Sequence, residues 1–483
     1  MTRAPQPTGK TPSNQSWRAA AGGQRLRETE KQMRTASGVK PDVGFCHLIS
    51  SRALRAAIIA AVMINDAALA ADYELVSAVI VSRHGVRSPT AVTPPLASIA
   101  ADPWPSWPVP PGYLTPRGAE LARLLGAYYR NYYAGRGLLP AQGCPQPGDV
   151  FAWADVDQRT RMTAESLLAG MFPGCGLKPG YRTGAKVDPL FHPTRAGVCR
   201  VDPGRARQSV LDRIGGDFGT VLSTYQGELA AMQAVLKCCA PAVCRASGAA
   251  APCTLGDLST AVVGSDDRIR LSGPIAIGST AAEIFLLEYA QGLPEREVAW
   301  GRASSPEAMR PLWRLHTLQF DLMQRTPYLA ARQGSPLVKR VLATMRDAID
   351  RNGNARPPAR RKLTLLVGHD TNISNIGGML GMHWALPSYL ADQTPPAGAL
   401  HFELLRDRDS GSYAVRVSYI AQTPIRCVTP CSLTVRVRRS RQRPLLRDVR
   451  RKTAKHAPGL RSTRSRVRPS ITPVWARNSA MQI

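Results

Sequence analysis

The chain has 483 residues, 44% hydrophobic and 20% charged, which is enough for one large domain or two ordinary ones and excludes a largely unfolded polypeptide. Its formal net charge of +29 would point to a polyanion partner if spread evenly. Instead, residues 426–483 hold 16 Lys/Arg against the single Asp448, and residues 1–56 hold 10 against 3 acids, so the body between is only mildly basic. That balance suits an enzyme of small anionic substrates; nucleic acid is not expected as a partner, and no apolar run of about 18 residues exists to span a membrane.

Residues 1–50 are polar and without period and read as a disordered leader, with Met33 an alternative initiator. Arg52 and Arg55 then precede the apolar stretch from Ala56 to Ile64, and Ala68-Leu69-Ala70 follows as a small-x-small peptidase site. Residues 51–70 therefore read as a secretory signal and predict a periplasmic or secreted protein. A short N-terminal helix of a cytosolic protein is the competing interpretation. Ten cysteines fit export. Cys144 with Cys175 and Cys244 with Cys253 are candidate disulfides, the adjacent Cys238 and Cys239 fit no scheme neatly, and no spacing of Cys or His marks a metal site.

Leu75 to Ser82, LVSAVIVS, reads as a buried strand that delivers Arg83-His84-Gly85 at its C-terminal end. A Pro/Trp-rich loop, Pro103 to Pro111, follows. Thr115 and Pro116 then open a helix as cap and first residue, with Leu121, Leu124, Leu125 and Tyr128 as its apolar face. Val150 to Ala154 is a second strand, leading through Asp155 to Thr160 into another helix. From about 204 to 346 the pattern is mainly helical, including Thr280 to Gln291 and Leu312 to Gln324, which predicts an inserted helical subdomain. Strands resume at Leu363 to Val367, ending in Gly368-His369-Asp370, and again near Leu400 to Leu405 and Tyr413 to Tyr419. The fold class is α/β, a mixed central sheet flanked by helices.

The segment Arg83-His84-Gly85-Val86-Arg87-Ser88-Pro89-Thr90 places two guanidinium groups around one imidazole. Arginine offers a phosphate dianion bidentate, charge-assisted donors that lysine does not reproduce. A neutral imidazole nitrogen is a competent nucleophile near neutral pH and can carry the phosphoryl group between two displacements. Arg159 and His369 can donate to the equatorial oxygens, and Asp370 can protonate the leaving alkoxide and later activate water. Taken singly, an Arg-His-Gly turn or a His-Asp pair is more often structural; their conjunction carries the reading.

RHGVRSPT followed far downstream by GHDTN resembles the signature of the histidine acid phosphatases, the branch of the histidine phosphatase superfamily that contains bacterial periplasmic phytases and glucose-1-phosphatases. ADVDQRTRMTAESLLAG, SGPIAIGSTAAEIFLLEYAQGLP, LHTLQFDLMQRTP and TPPAGALHFELL extend the resemblance over about 73–423, within a domain placed at 71–425. The resemblance implies His84 as nucleophile and Asp370 as proton donor. It implies Arg83, Arg87, Arg159 and His369 as phosphate-binding groups, Thr90 near the pocket mouth, and Glu283 facing substrate, although a solvated helix face is an equal alternative for Glu283. It further implies a metal-independent, cofactor-free phosphomonoesterase at acidic pH, a monomer, with phytate or general organic phosphates as substrates. A glucose-1-phosphatase type, a phosphoglycerate mutase-like transferase and a polyanion-binding pseudoenzyme are the rivals.

After Pro424 the likeness stops, and an arginine-rich, acid-poor tail at 426–483 follows. It reads as disordered text or as the product of a shifted frame, with a basic nucleic-acid or membrane-binding tail as the alternative. Cys199 resembles the cysteine that the family bridges to a C-terminal one, and neither Cys427 nor Cys431 is expected to replace that partner.

Overall fold

The computed structural model describes residues 73–90, 96–246, 248–265, 268–349 and 361–423, with the backbone of three short strands at 432–436, 438–439 and 480–482. The expected leader, the signal at 51–70 and most of the basic tail lie outside the described residues.

Strand β1 (Tyr73–Arg83) is buried on both faces. Ala78 and Ile80 join one core with Leu125 and Tyr129, and Val79 and Val81 join another with Phe285, Trp313 and Ile373. A strand covered on both sides has no polar face to alternate with, which is why its sequence is continuously apolar. Its parallel neighbour is β5 (Leu363–Gly368), which is flanked on its other side by the parallel β2 (Val150–Ala154). Beyond β1 the order continues antiparallel through β6 (Ala399–Asp407) and β7 (Tyr413–Gln422). The segments Ser432–Arg436 and Ala480–Gln482 pair with the outer edge of β7. The sheet is mixed and flanked by helices, as expected.

A single turn, α1 (Leu96–Ile99), precedes the Pro/Trp loop. Helix α2 (Pro116–Ala134) starts as predicted, with Thr115 Oγ1 accepting from the Gly118 amide at 2.9 Å and Pro116 in the first turn. Its fully buried face shares only Leu125 with the predicted one. Ala122, Leu125, Tyr129 and Tyr133 point inward together with Gly118 and Gly126, while Leu121, Leu124 and Tyr128 are half-buried. The cause is close packing on α3 (Gln158–Met171): a Cβ on Gly126 would lie 2.2 Å from the Leu167 carbonyl, and one on Gly170 would lie 1.9 Å from that of Arg123. Glycine sets the contact stripe, and a hydrophobicity count does not register it.

Between Pro203 and Ala348 the chain is mostly helical: α4 (Pro203–Ile214), α5 (Phe218–Thr224), α6 (Gln226–Leu236), α7 (Pro241–Ala246), α8 (Pro274–Gln291), α9 (Pro306–Gln324) and α10 (Pro327–Ala348). Helices α8 and α9 begin earlier than their apolar periodicity indicated, because Pro274 and Pro306 start them in the first turn. The antiparallel hairpin of β3 (Ala261–Ser265) and β4 (Arg268–Ser272) was not anticipated. Helix α11 (Asp370–Leu380) follows β5 directly.

Cys144–Cys175 and Cys244–Cys253 are both bridged, with Cα atoms 5.6 and 5.7 Å apart. Cys238 and Cys239 are bridged to each other. Cys199 is free among the described residues. No helix among them is long and apolar enough to cross a membrane.

Candidate active site

Three parallel strands end side by side, and each end supplies chemistry. Arg83 pairs with Gly368 across β1 and β5, the His84 amide donates to the Gly368 carbonyl at 2.9 Å, and the Asp155 amide donates to that of Val367 at 3.0 Å. The C-terminal edge of the sheet thereby brings together His84, His369, Asp370, Asp155 and, one turn on, Arg159. Side chains at carboxyl ends of parallel strands converge in this way because every chain leaves the sheet in the same direction.

The turn after β1 is clamped from behind. Ser88 N–H donates to Tyr113 O at 3.0 Å, Thr115 N–H donates to Val86 O at 3.0 Å, and a Cβ on Gly85 would sit 3.0 Å from Gly118 O. Close backbone approach is thus the reason for glycine after His84. Thr163 Oγ1 accepts from the Gly85 amide at 2.9 Å, completing a rigid seat.

His84 is 2% exposed, and its Nδ1 lies 2.9 Å from the Gly85 carbonyl. A carbonyl only accepts, so Nδ1 carries the proton and Nε2 presents its lone pair. Burial first, then Arg159, Arg83 and Arg87, hold the His84 pKa well below the usual imidazole range. The ring therefore stays neutral in acid.

Arg83 is fully buried; one Nη bonds Glu283 and lies 3.1 Å from Asp370 Oδ2, while the other donates to the Thr394 carbonyl. Burial opposes its charge, but Glu283 and Asp370 outweigh it and the pKa rises. Arg87 reaches to 3.8 Å from Glu283, and burial lowers it to about 10, so it stays cationic. Arg159 donates to Asp157 at 2.6 Å. Thr90 stands at the same rim: a Cβ on Gly112 would lie 3.2 Å from Thr90 Cγ2 and 3.7 Å from Arg159 Nη1.

Burial would raise the Asp370 carboxyl, yet Arg83, His316 and Arg87 together bring it down to about 2. It is therefore ionised. Glu283 is 8% exposed, which discards the solvated-face alternative. From α8 its Oε1 meets Arg83, and its Oε2 is 3.8 Å from His316 Nε2 on α9.

Asp155, Asp157, His192 and His316 were not identified from the sequence as site residues. Asp155 is fully buried, and its Oδ2 accepts from His369 Nε2 at 2.7 Å and from His192 Nε2 at 2.9 Å. Burial alone would raise its pKa, but the two imidazoles hold it well below the carboxylate range. Burial also lowers His369, against the pull of Asp155. Two acids in the loop between a strand end and Arg159 were a usable signal; His192 lies in a loop without a motif and gave none.

A family model described as Histidine phosphatase superfamily (branch 2) matches residues 74–240 and 285–420. Phytase AppA of Escherichia coli is 37% identical over 375 residues, covering 75% of this chain and 84% of that protein. A glucose-1-phosphatase of Salmonella typhimurium is 28% identical over 380 residues, covering 77% and 87%. Among solved structures, Hafnia alvei phytase in complex with tartrate superposes with a TM-score of 0.67 at 38% identity, over 76% of this chain and 91% of that one. The phytase from Citrobacter braakii gives 0.66 at 36%, over 76% and 92%.

Proposed function

This chain belongs to branch 2 of the histidine phosphatase superfamily, and from that premise we propose that it hydrolyses phosphomonoesters through a phosphohistidine on His84. The observation that carries the reading is the Gly85 carbonyl at His84 Nδ1, which leaves Nε2 free, with Arg83, Arg87 and Arg159 around the ring and Asp370 beside Arg83.

The arginines draw in the phosphate dianion and neutralise the charge on its equatorial oxygens. His84 Nε2 attacks phosphorus, the ester P–O bond breaks, and the Asp370 carboxyl gives its proton to the departing alkoxide. The resulting carboxylate takes a proton from water, the hydroxide attacks phosphorus, the P–N bond breaks, and neutral His84 and inorganic phosphate remain. Asp370 must enter this cycle protonated, although Arg83 by itself holds it ionised. A bound dianion offsets the arginine charge and so raises Asp370, which ties turnover to acidic pH while His84 remains unprotonated there. Asp155 orients His369 toward the phosphate, as a carboxylate orients imidazole in other hydrolytic sites. Charge neutralisation by arginine makes the scheme independent of metal and cofactor.

The relatives named phytases support phytate among the substrates, with general organic phosphates beside it; the glucose-1-phosphatase relative keeps a sugar-phosphatase reading as the alternative. Two well-separated disulfides support folding in an oxidising compartment, hence a periplasmic or secreted enzyme, and we propose that it acts as a monomer. The test is phosphate release from p-nitrophenyl phosphate, phytate and glucose 1-phosphate at acidic pH, with acid-quench trapping of labelled phosphohistidine. Label on the wild type and none on His84→Ala is expected. A folded wild-type protein that neither turns over nor labels would put the polyanion-binding pseudoenzyme in its place.

A further inference from the structure

Four donor atoms, from Asp155, Asp157, His192 and His369, lie within 4.8 Å of one another beside the phosphate seat. Asp155 Oδ2 is the focus, 2.7 Å from His369 Nε2 and 2.9 Å from His192 Nε2, and Asp157 Oδ2 is 3.6 Å from His369 Nε2. Ligands arranged tetrahedrally on a cation with bonds of about 2.1 Å sit about 3.4 Å apart. An opening of about 0.5–0.7 Å at the two contacts of Asp155, with the donors that lie as much as 4.8 Å apart drawing in, turns this hydrogen-bonded cluster into a coordination shell. The scheme proposed for the reaction gives no step to His192, whose half-buried ring and the 37% exposed Asp157 side chain leave a way in from solvent. Two imidazoles and two carboxylates make a donor set for a first-row divalent ion such as zinc, and too nitrogen-rich a set for magnesium or calcium.

We propose that Asp155, Asp157, His192 and His369 bind a first-row divalent cation, zinc being the type, and that its binding inhibits the enzyme by capturing His369 and drawing its ring out of the position in which Asp155 holds it. Coordination removes the proton that each imidazole carries on Nε2: from a neutral ring it moves to Nδ1, and from an imidazolium one proton passes to solvent. The cation also takes Asp157 from Arg159, 2.6 Å away, so both the second imidazole and one guanidinium of the phosphate seat change partners together. The inhibition rests on the proposed role of His369 toward phosphate, whereas the binding rests on geometry alone.

The test uses the full-length protein, stripped by chelator, with cobalt(II) absorption and zinc calorimetry beside zinc inhibition of p-nitrophenyl phosphate hydrolysis. One equivalent of cobalt with tetrahedral visible bands is expected, displaced by zinc, and inhibition over the same zinc range. His192→Ala and the size-conserving His192→Asn should each weaken zinc at least tenfold in both readouts, each measured against its own uninhibited rate, and Cys199→Ser should change neither. Absence of cobalt bands, zinc affinity unchanged in both His192 variants, or affinity lost with Cys199 would overturn the site. Binding without inhibition would overturn the capture of His369 and leave the cation site standing.

Discussion

The strand ends and the helical insert contribute to the same site by different routes. Strands β1, β5 and β2 end in imidazoles, arginines and the carboxylates Asp155 and Asp370 on turns that are hydrogen-bonded into the sheet, whereas α8 brings a single carboxylate, Glu283, that rests on Arg83. The groups at the sheet edge are therefore fixed by backbone geometry. The insert adds negative charge from the side, and under the proposed function a phosphate dianion must displace that carboxylate to reach Arg83. In that reading, reaction chemistry belongs to the first region and the tuning of anion affinity to the second.

Substitutions can break or sharpen this division. The largest effect should come from His84→Ala, with kcat reduced at least about 10⁴-fold while inorganic phosphate still binds by calorimetry. Asp370→Asn should cost about 10²- to 10⁴-fold with alkyl phosphates and far less with p-nitrophenyl phosphate, whose leaving group needs no proton. In the wild type the alkyl phosphate rate should fall as pH rises through the pKa of Asp370 in the substrate complex, above the value of about 2 that Arg83, His316 and Arg87 set by themselves, and the Asn variant should lack that limb. Arg159→Ala should lower kcat/KM by about 10²- to 10³-fold through loss of one transition-state donor. Asp155→Asn, acting through His369, should lower it about tenfold to a hundredfold with the fold retained by circular dichroism.

The smallest effect, and the one that bears most directly on the comparison, is expected of Glu283→Gln. Removing the competing charge should tighten inorganic phosphate several-fold as a competitive inhibitor and leave kcat within a factor of about three. A collapse of kcat would show that the insert takes part in the chemistry and would erase the distinction.

The two regions also differed in how far they could be read beforehand. A run such as LVSAVIVS followed by Arg83-His84 announces both a buried strand and what stands at its end, because in a parallel sheet sequence adjacency and spatial placement coincide. The same held for Leu363 to Val367 and the His369-Asp370 pair. Glu283 reached the site through the packing of α8 against α9, and His192 through a loop fold, and neither relation is written in local text. The inward face of α2 was legible only at Leu125, because Gly118 and Gly126, which carry no hydrophobic signal, define the rest of it. The cysteines were half legible: two bridges followed from composition and compartment, while the bridge between neighbours Cys238 and Cys239 did not.

The placement of β5 has a consequence in time as well as in space. The strand that sits between β1 and β2 is synthesised after the whole helical insert, and Ala78 must wait for Leu363. Until then β1 and β2 have no shared neighbour, and His84 has neither the Gly368 carbonyl that holds its amide nor His369 and Asp370 beside it. Contacts this distant along the chain close late. The nascent protein therefore carries His84 from the first hundred residues onward, yet the groups that surround it assemble only when β5 has docked between β1 and β2.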